Sequence, residues 1–96
     1  RDFQQNSVTE RHVSLTLFAF AKGEEISTHE SNGDAMVLVL EGTGKFTVDG
    51  QEYLVHAGET LMMPAKKPHA VFGQEEFKML LTVVFPSEKQ LEKAKG

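Results

Sequence analysis

Two histidines, His29 and His69, are the residues of this chain best placed to do chemistry. Each belongs to its own strand-and-turn module. The first module runs from Lys22 to Gly50, and the second carries Ala57-Gly58-Glu59, Thr60 to Met63, Pro64 and Pro68-His69. Imidazole is the commonest metal ligand and changes charge near neutral pH. A pair facing one interior would therefore hold a metal or hydrogen-bond an anionic or carbonyl ligand. The plainer alternative is two interior histidines satisfied by backbone carbonyls or by each other. His12, at the polar end of a strand, and His56, just before a turn, read as exposed and lack a ligand-spaced partner. Ser31 has no histidine and acid arranged with it as a triad. Gly42-x-Gly44 is a β-turn pattern, not a phosphate-binding loop.

The elements that must position these residues are short strands. From His12 to Phe20, Val13, Leu15, Leu17 and Ala19 alternate with His12, Ser14, Thr16, Phe18 and Phe20. The second face turns from polar to aromatic, which suggests a strand wet at one end and covered at the other, the cover being another subunit. Ile26 to His29 follows the turn Lys22-Gly23-Glu24-Glu25. Ala35 to Leu40 has no polar side chain, so both of its faces should be buried, one in the barrel and the other against a second sheet or a partner. Lys45 to Val48 and Gln51 to Val55 flank Asp49-Gly50, a strong hairpin signal. Thr60 to Met63, Ala70 to Phe72 and Glu76 to Phe85 complete a series whose spacing predicts a sandwich or barrel. Ser87 with Gln90 reads as a capping box opening a short helix over about 87–95. Residues 1–10 are polar and expected to fray.

At 96 residues the chain is read as one domain over 1–96 with a core over about 12–85. A chain this short buries only about 60 to 65% of its unfolded surface, so pairing with a second copy would help it. Net charge is -4 and no basic cluster exceeds Lys66-Lys67, which argues against nucleic acid. No apolar run reaches the roughly 20 residues of a membrane span, and no signal peptide is visible, so the expected location is the cytoplasm. The absence of cysteine excludes disulfides, thiol nucleophiles and thiolate metal sites.

With these residues in view, the chain resembles the cupins, small antiparallel β-barrels. Their first motif is a glycine, five residues, His-x-His, three or four residues, Glu, six residues, Gly. Gly23, His29 and Gly42 stand at matching places. The second motif is a glycine, five residues, Pro-x-Gly, two residues, His, three residues, Asn, matched by Gly58, Pro64 and His69. The resemblance covers about Lys22 to Phe85. It implies an all-β fold, an antiparallel double-stranded β-helix or jelly-roll β-barrel, here with the short C-terminal helix. The family's metal site takes two histidines and a glutamate from the first motif and one histidine from the second. In this chain the second histidine position is Ser31 and the glutamate position is Ala35, while Lys66 and Gly73 replace the glycine and asparagine of the second motif.

Two imidazoles without a carboxylate hold a divalent metal weakly, and an iron site of the facial type needs two histidines and a carboxylate. The leading expectation is thus a small-molecule-binding barrel protein with a partial metal site at His29 and His69. Its pocket is expected to be lined by Ser31, Ala35, Met36, Met63, Phe72 and Met79. The implied cofactor is a weakly bound divalent transition metal (Fe, Mn, Ni or Zn), with no cofactor as the equal alternative. The rival is a metal-dependent enzyme of dioxygenase or isomerase type acting on a small organic substrate, and a third reading is a structural partner protein. No residue is assigned a catalytic role. The expected partners are a small-molecule ligand and a second copy of the chain in a homodimer, motivated by Ala35 to Leu40, Phe18 and Phe20.

Overall fold

Short runs of β-branched and aromatic residues, cut by Gly, Pro and Asp, favour strands over helices. The computed structural model describes residues 4–9 and 12–86, and every element among them is a strand. In order they are β1 (Gln4–Thr9), β2 (Val13–Phe20), β3 (Glu25–His29), β4 (Asp34–Glu41) and β5 (Thr43–Val48). Then come β6 (Gln51–His56), β7 (Thr60–Met63), β8 (His69–Gly73) and β9 (Phe77–Val84). The strands form two antiparallel sheets, β1-β2-β9-β4-β7 and β3-β8-β5-β6. The chain passes between the sheets at most connections, the winding of a jelly roll. The helix expected over 87–95 lies outside the described residues. Part of the segment expected to fray, Gln4–Thr9, is paired along its length with β2. No helix among the described residues is long and apolar enough to cross a membrane.

Which face of each strand turns inward corrects two expectations. Phe18 and Phe20 do not form an outer surface; they are buried between the sheets, and Thr16 is buried beside them. The uniformly aliphatic face of β2, with Val13, Leu15 and Leu17, looks outward instead. Likewise only one face of β4 is buried within the chain, so no second sheet of the same chain covers the other. Ala35, Val37 and Val39 point into the core, while Met36 and Leu40 are exposed.

The core is aromatic at its centre. Phe20 and Phe77 are opposite each other on β2 and β9 and stack with ring centroids 4.7 Å apart. Phe46 of the other sheet meets Phe77 edge-on at 6.1 Å. Gly42 makes the approach of β9 possible: its φ of 76° is in the left-handed region, and a Cβ there would run into the Glu76 carbonyl oxygen. At the far end of β5, Asp49 and Gly50 have φ of 50° and 83°, the two positive values a tight type I′ hairpin demands.

Removing the Phe77 ring would empty the junction of the two sheets. Phe77→Ala should cost about 3–5 kcal/mol, read as a lower denaturation midpoint with an unchanged slope in urea; a loss below 1 kcal/mol would contradict the central role of this ring.

Candidate functional site

His29 ends β3 and His69 opens β8, and the two are direct register partners. Strand alternation alone would not bring them to the same face, because Ile26 already points at the core opposite Val71. Between these two pairings β3 uses three steps and β8 uses two, so β3 carries one extra residue. This bulge turns His29 to the side of His69, the kind of re-aiming that bulges provide. The rings stand 4.2 Å apart, centroid to centroid, at 67°. His29 is exposed and His69 is only 5% exposed, so the pair leads from solvent into the interior.

Both imidazoles are held in the same way. His29 Nδ1 is 3.0 Å from the Ser27 carbonyl, and His69 Nδ1 is 3.1 Å from the Lys67 carbonyl. A carbonyl only accepts, so each Nδ1 carries a proton, and Nε2 of a neutral ring is then a lone pair. Burial lowers the pKa of His69 below the ordinary 6.5; the Lys67 carbonyl opposes this, and the charge of His29 adds to the lowering. The inner imidazole is therefore a neutral acceptor at neutral pH.

The loop behind His69 is braced at several points. Ala65 N–H donates to Asp34 Oδ1 at 2.8 Å, and Lys66 N–H donates to the Ser31 carbonyl at 2.8 Å. Lys66 adopts a φ of 64°, a conformation that suits glycine, and it stands where the resemblance expects one. The strain sits one residue from the carbonyl that fixes His69.

The expected lining residues divide between inside and outside. Ala35, Met63 and Met79 are buried in the core, Ala35 and Met63 as register partners and Met79 opposite Val39 further along β4. Ser31 is half-buried and spends its hydroxyl on the Gly33 N–H at 3.1 Å. Met36 is on the outer face, 41% exposed, because it alternates with Ala35. Phe72 also faces outward, lying under Lys45 Nζ at 5.2 Å on the opposite side of β8 from His69. His56, expected to be exposed, is so and bonds Thr43 Oγ1 at 3.0 Å.

An open cleft of about 510 Å³ lies at the gap between β6 and β7; neither histidine lines it, and it reaches their neighbourhood through Val48 and Lys67. Its apolar wall comes from Val48, Tyr53, Leu61, Met62 and Pro64. Val48 is the β5 register partner of His69. At the rim, Lys67 and Asp49 form an exposed ion pair at 3.9 Å. Sequence reading missed these residues because they come from three strands and two loops. The Asp49-Gly50 turn, which places Val48 at a strand end, was the one signal pointing towards them.

The donor set does not fit a resident catalytic metal. Ala35 puts a methyl group where a carboxylate would stand, Asp34 is committed to the Ala65 amide, and Glu30 is exposed. Among the described residues no three His, Asp or Glu side chains are grouped to hold an ion.

Comparison with known proteins gives consistent neighbours. The family model for the cupin domain matches residues 16–85. A conserved protein of unknown function from Streptococcus pyogenes is 41% identical, with a TM-score of 0.86 over 90% of this chain and 76% of that one. A cupin superfamily protein from Desulfitobacterium hafniense is 36% identical, with a TM-score of 0.81 over 90% of this chain and 82% of that one. A 5-nitrosalicylic acid 1,2-dioxygenase from Bradyrhizobium is 35% identical over 48 residues, half of this chain and 23% of that protein. This chain thus spans about a quarter of the length of that curated relative.

Two measurements check the site's physics. Because the folded pKa of His69 lies below the unfolded value of 6.5, folding excludes a proton; the stability from its neutral form is complete above pH 6.5 and is lost as pH falls below it. His69→Gln should therefore flatten the fall of the thermal midpoint between about pH 6.5 and 5.5. Lys66→Gly should relieve the left-handed strain and stabilise by about 0.5–1 kcal/mol; a destabilised variant in urea melts would mean the lysine side chain contributes more than its backbone costs.

Proposed function

This chain belongs to the cupin family, and on that premise we propose that it is a small-molecule-binding barrel protein whose ligand sits against His29 and His69 and extends into the cleft beside them. The observation carrying this reading is the pair of Nδ1 contacts to backbone carbonyls, which leaves two neighbouring Nε2 lone pairs as acceptors. Such acceptors suit a ligand that donates, through a hydroxyl, an amide N–H or a protonated acid. The cleft's apolar wall would bury the body of that ligand, and its volume is within the ordinary range for small-molecule sites. In this reading the histidines bind and orient rather than carry a catalytic metal, and the protein works as a homodimer.

The second reading is a metal-dependent cupin enzyme of dioxygenase or isomerase type. Its support is the partial similarity to the Bradyrhizobium dioxygenase. On that reading the two Nε2 atoms would hold a divalent transition metal, with the remaining ligands coming from outside the described protein groups. The chemistry such a metal supplies is Lewis-acid or redox activation. Against it stands the lack of a carboxylate at Ala35.

Metal titration separates the two. Calorimetry with Ni²⁺ or Mn²⁺ should show weak binding to the wild-type chain and, for Ala35→Glu, a gain of at least about tenfold from the added carboxylate. Elemental analysis of chelator-free preparations should find substoichiometric metal. Stoichiometric metal that disappears in His69→Ala would overturn the binding reading in favour of the enzyme.

A further inference from the structure

We infer that the cleft between β6 and β7 takes a zwitterion, an α-amino acid with an apolar side chain, whose carboxylate pairs with Lys67 and whose ammonium pairs with Asp49. This rests on the reading above only in placing a small molecule in the cleft; it names the chemical class and draws on neither histidine.

Lys67 and Asp49 are the only charged residues lining the cleft among those described. The backbone keeps them close: Asp49 N–H donates to the carbonyl of Pro68, the residue after Lys67, at 2.8 Å. Their side chains meet only loosely, Nζ to Oδ2 at 3.9 Å, and each is more than half exposed. An exposed pair of this kind contributes little to stability, so opening it for a ligand costs little. The signs then decide what enters. A simple carboxylate drawn to Lys67 would lie against the carboxylate of Asp49, and a simple amine drawn to Asp49 would lie against the ammonium of Lys67. A molecule carrying both charges a few atoms apart has an attractive partner for each.

The remaining wall is mostly apolar, with Tyr53, Leu61, Met62 and Pro64. Methionine adapts to side chains of different outline and Tyr53 offers an aromatic surface, so an apolar side chain has a bed next to the charged head group. Two other hollows lack this combination. On the outer face of the β3-β8-β5-β6 sheet, Lys45 is already held twice, by Glu52 at 3.6 Å and over the Phe72 ring at 5.2 Å, in a hollow of about 180 Å³. The hollow lined by Asn32, Asp34 and Phe85 has no cation, and Asp34 is committed to the Ala65 N–H.

Calorimetry on the full chain with L-phenylalanine tests this. Phenylalanine should bind, and hydrocinnamate and phenethylamine, each missing one of its charges, should bind at least about tenfold more weakly. Lys67→Gln and Asp49→Asn should each weaken phenylalanine binding at least about tenfold with the thermal midpoint little changed. Asparagine tolerates the positive φ of Asp49, and the contact with His69 uses the Lys67 backbone carbonyl, which the substitution keeps. The probe series needs only the wild-type chain, so it decides the matter even where a variant fails to fold. Neutral hydrocinnamyl alcohol separates this inference from the reading it rests on. If the alcohol binds as tightly as phenylalanine, or if both variants bind phenylalanine like the wild type, the zwitterion is overturned and small-molecule binding stands. If none of the four compounds binds, the zwitterion and the occupation of this cleft by a small molecule are overturned together.

Discussion

The contact on which this barrel depends is the stack of Phe20 on Phe77 with Phe46 set against its edge. Rings from both sheets meet there, so the distance between sheets is fixed by aromatic thickness, and the surrounding aliphatic side chains fill what remains. The glycines of the β4–β5 region follow from it. Gly42 lets the backbone of β9 approach, and a Cβ at Gly44 would strike the Phe77 ring. One end of the barrel is thus closed by hydrophobic packing.

The other end is held by hydrogen bonds more than by apolar contact. Ser31 and Asp34 tie the loop after β3 to the loop after β7, and Lys67 passes the constraint to His69 through its carbonyl. A strained residue next to a functional side chain is tolerated when neighbouring bonds fix it, and Lys66 fits that pattern. The two imidazoles are fixed by backbone carbonyls rather than by carboxylates, and burial favours the neutral, accepting form of His69. The proposed ligand would meet the two histidine rings, each held by a backbone carbonyl.

The outer faces of the sheets divide the labour. One is aliphatic with its border charges internally paired; the other carries Lys45, Glu52 and Glu25 around Phe72. In a small chain, an aliphatic sheet face left in water is a large fraction of the apolar surface. Met62 belongs both to this face and to the wall of the cleft.

The strands from Val13 onward, the hairpin at Asp49-Gly50 and the identities of His29 and His69 could be read directly from the sequence, because alternation and turn chemistry are local properties, whereas β1 and the order of strands in the sheets could not. The cupin spacing also revealed the loss of a carboxylate at Ala35. Which face of β2 turns inward was not legible: both faces were apolar enough, and only packing against Phe77 put Phe18 and Phe20 inside. The same holds for Met36, whose parity against Ala35 depends on where β4 meets β7. Above all, the extra residue in β3 leaves no local signature, since a bulge is defined by its partner strand. Tertiary pairing with β8 alone turned His29 towards His69, because the position of one strand's side chains is set by the hydrogen bonds of another.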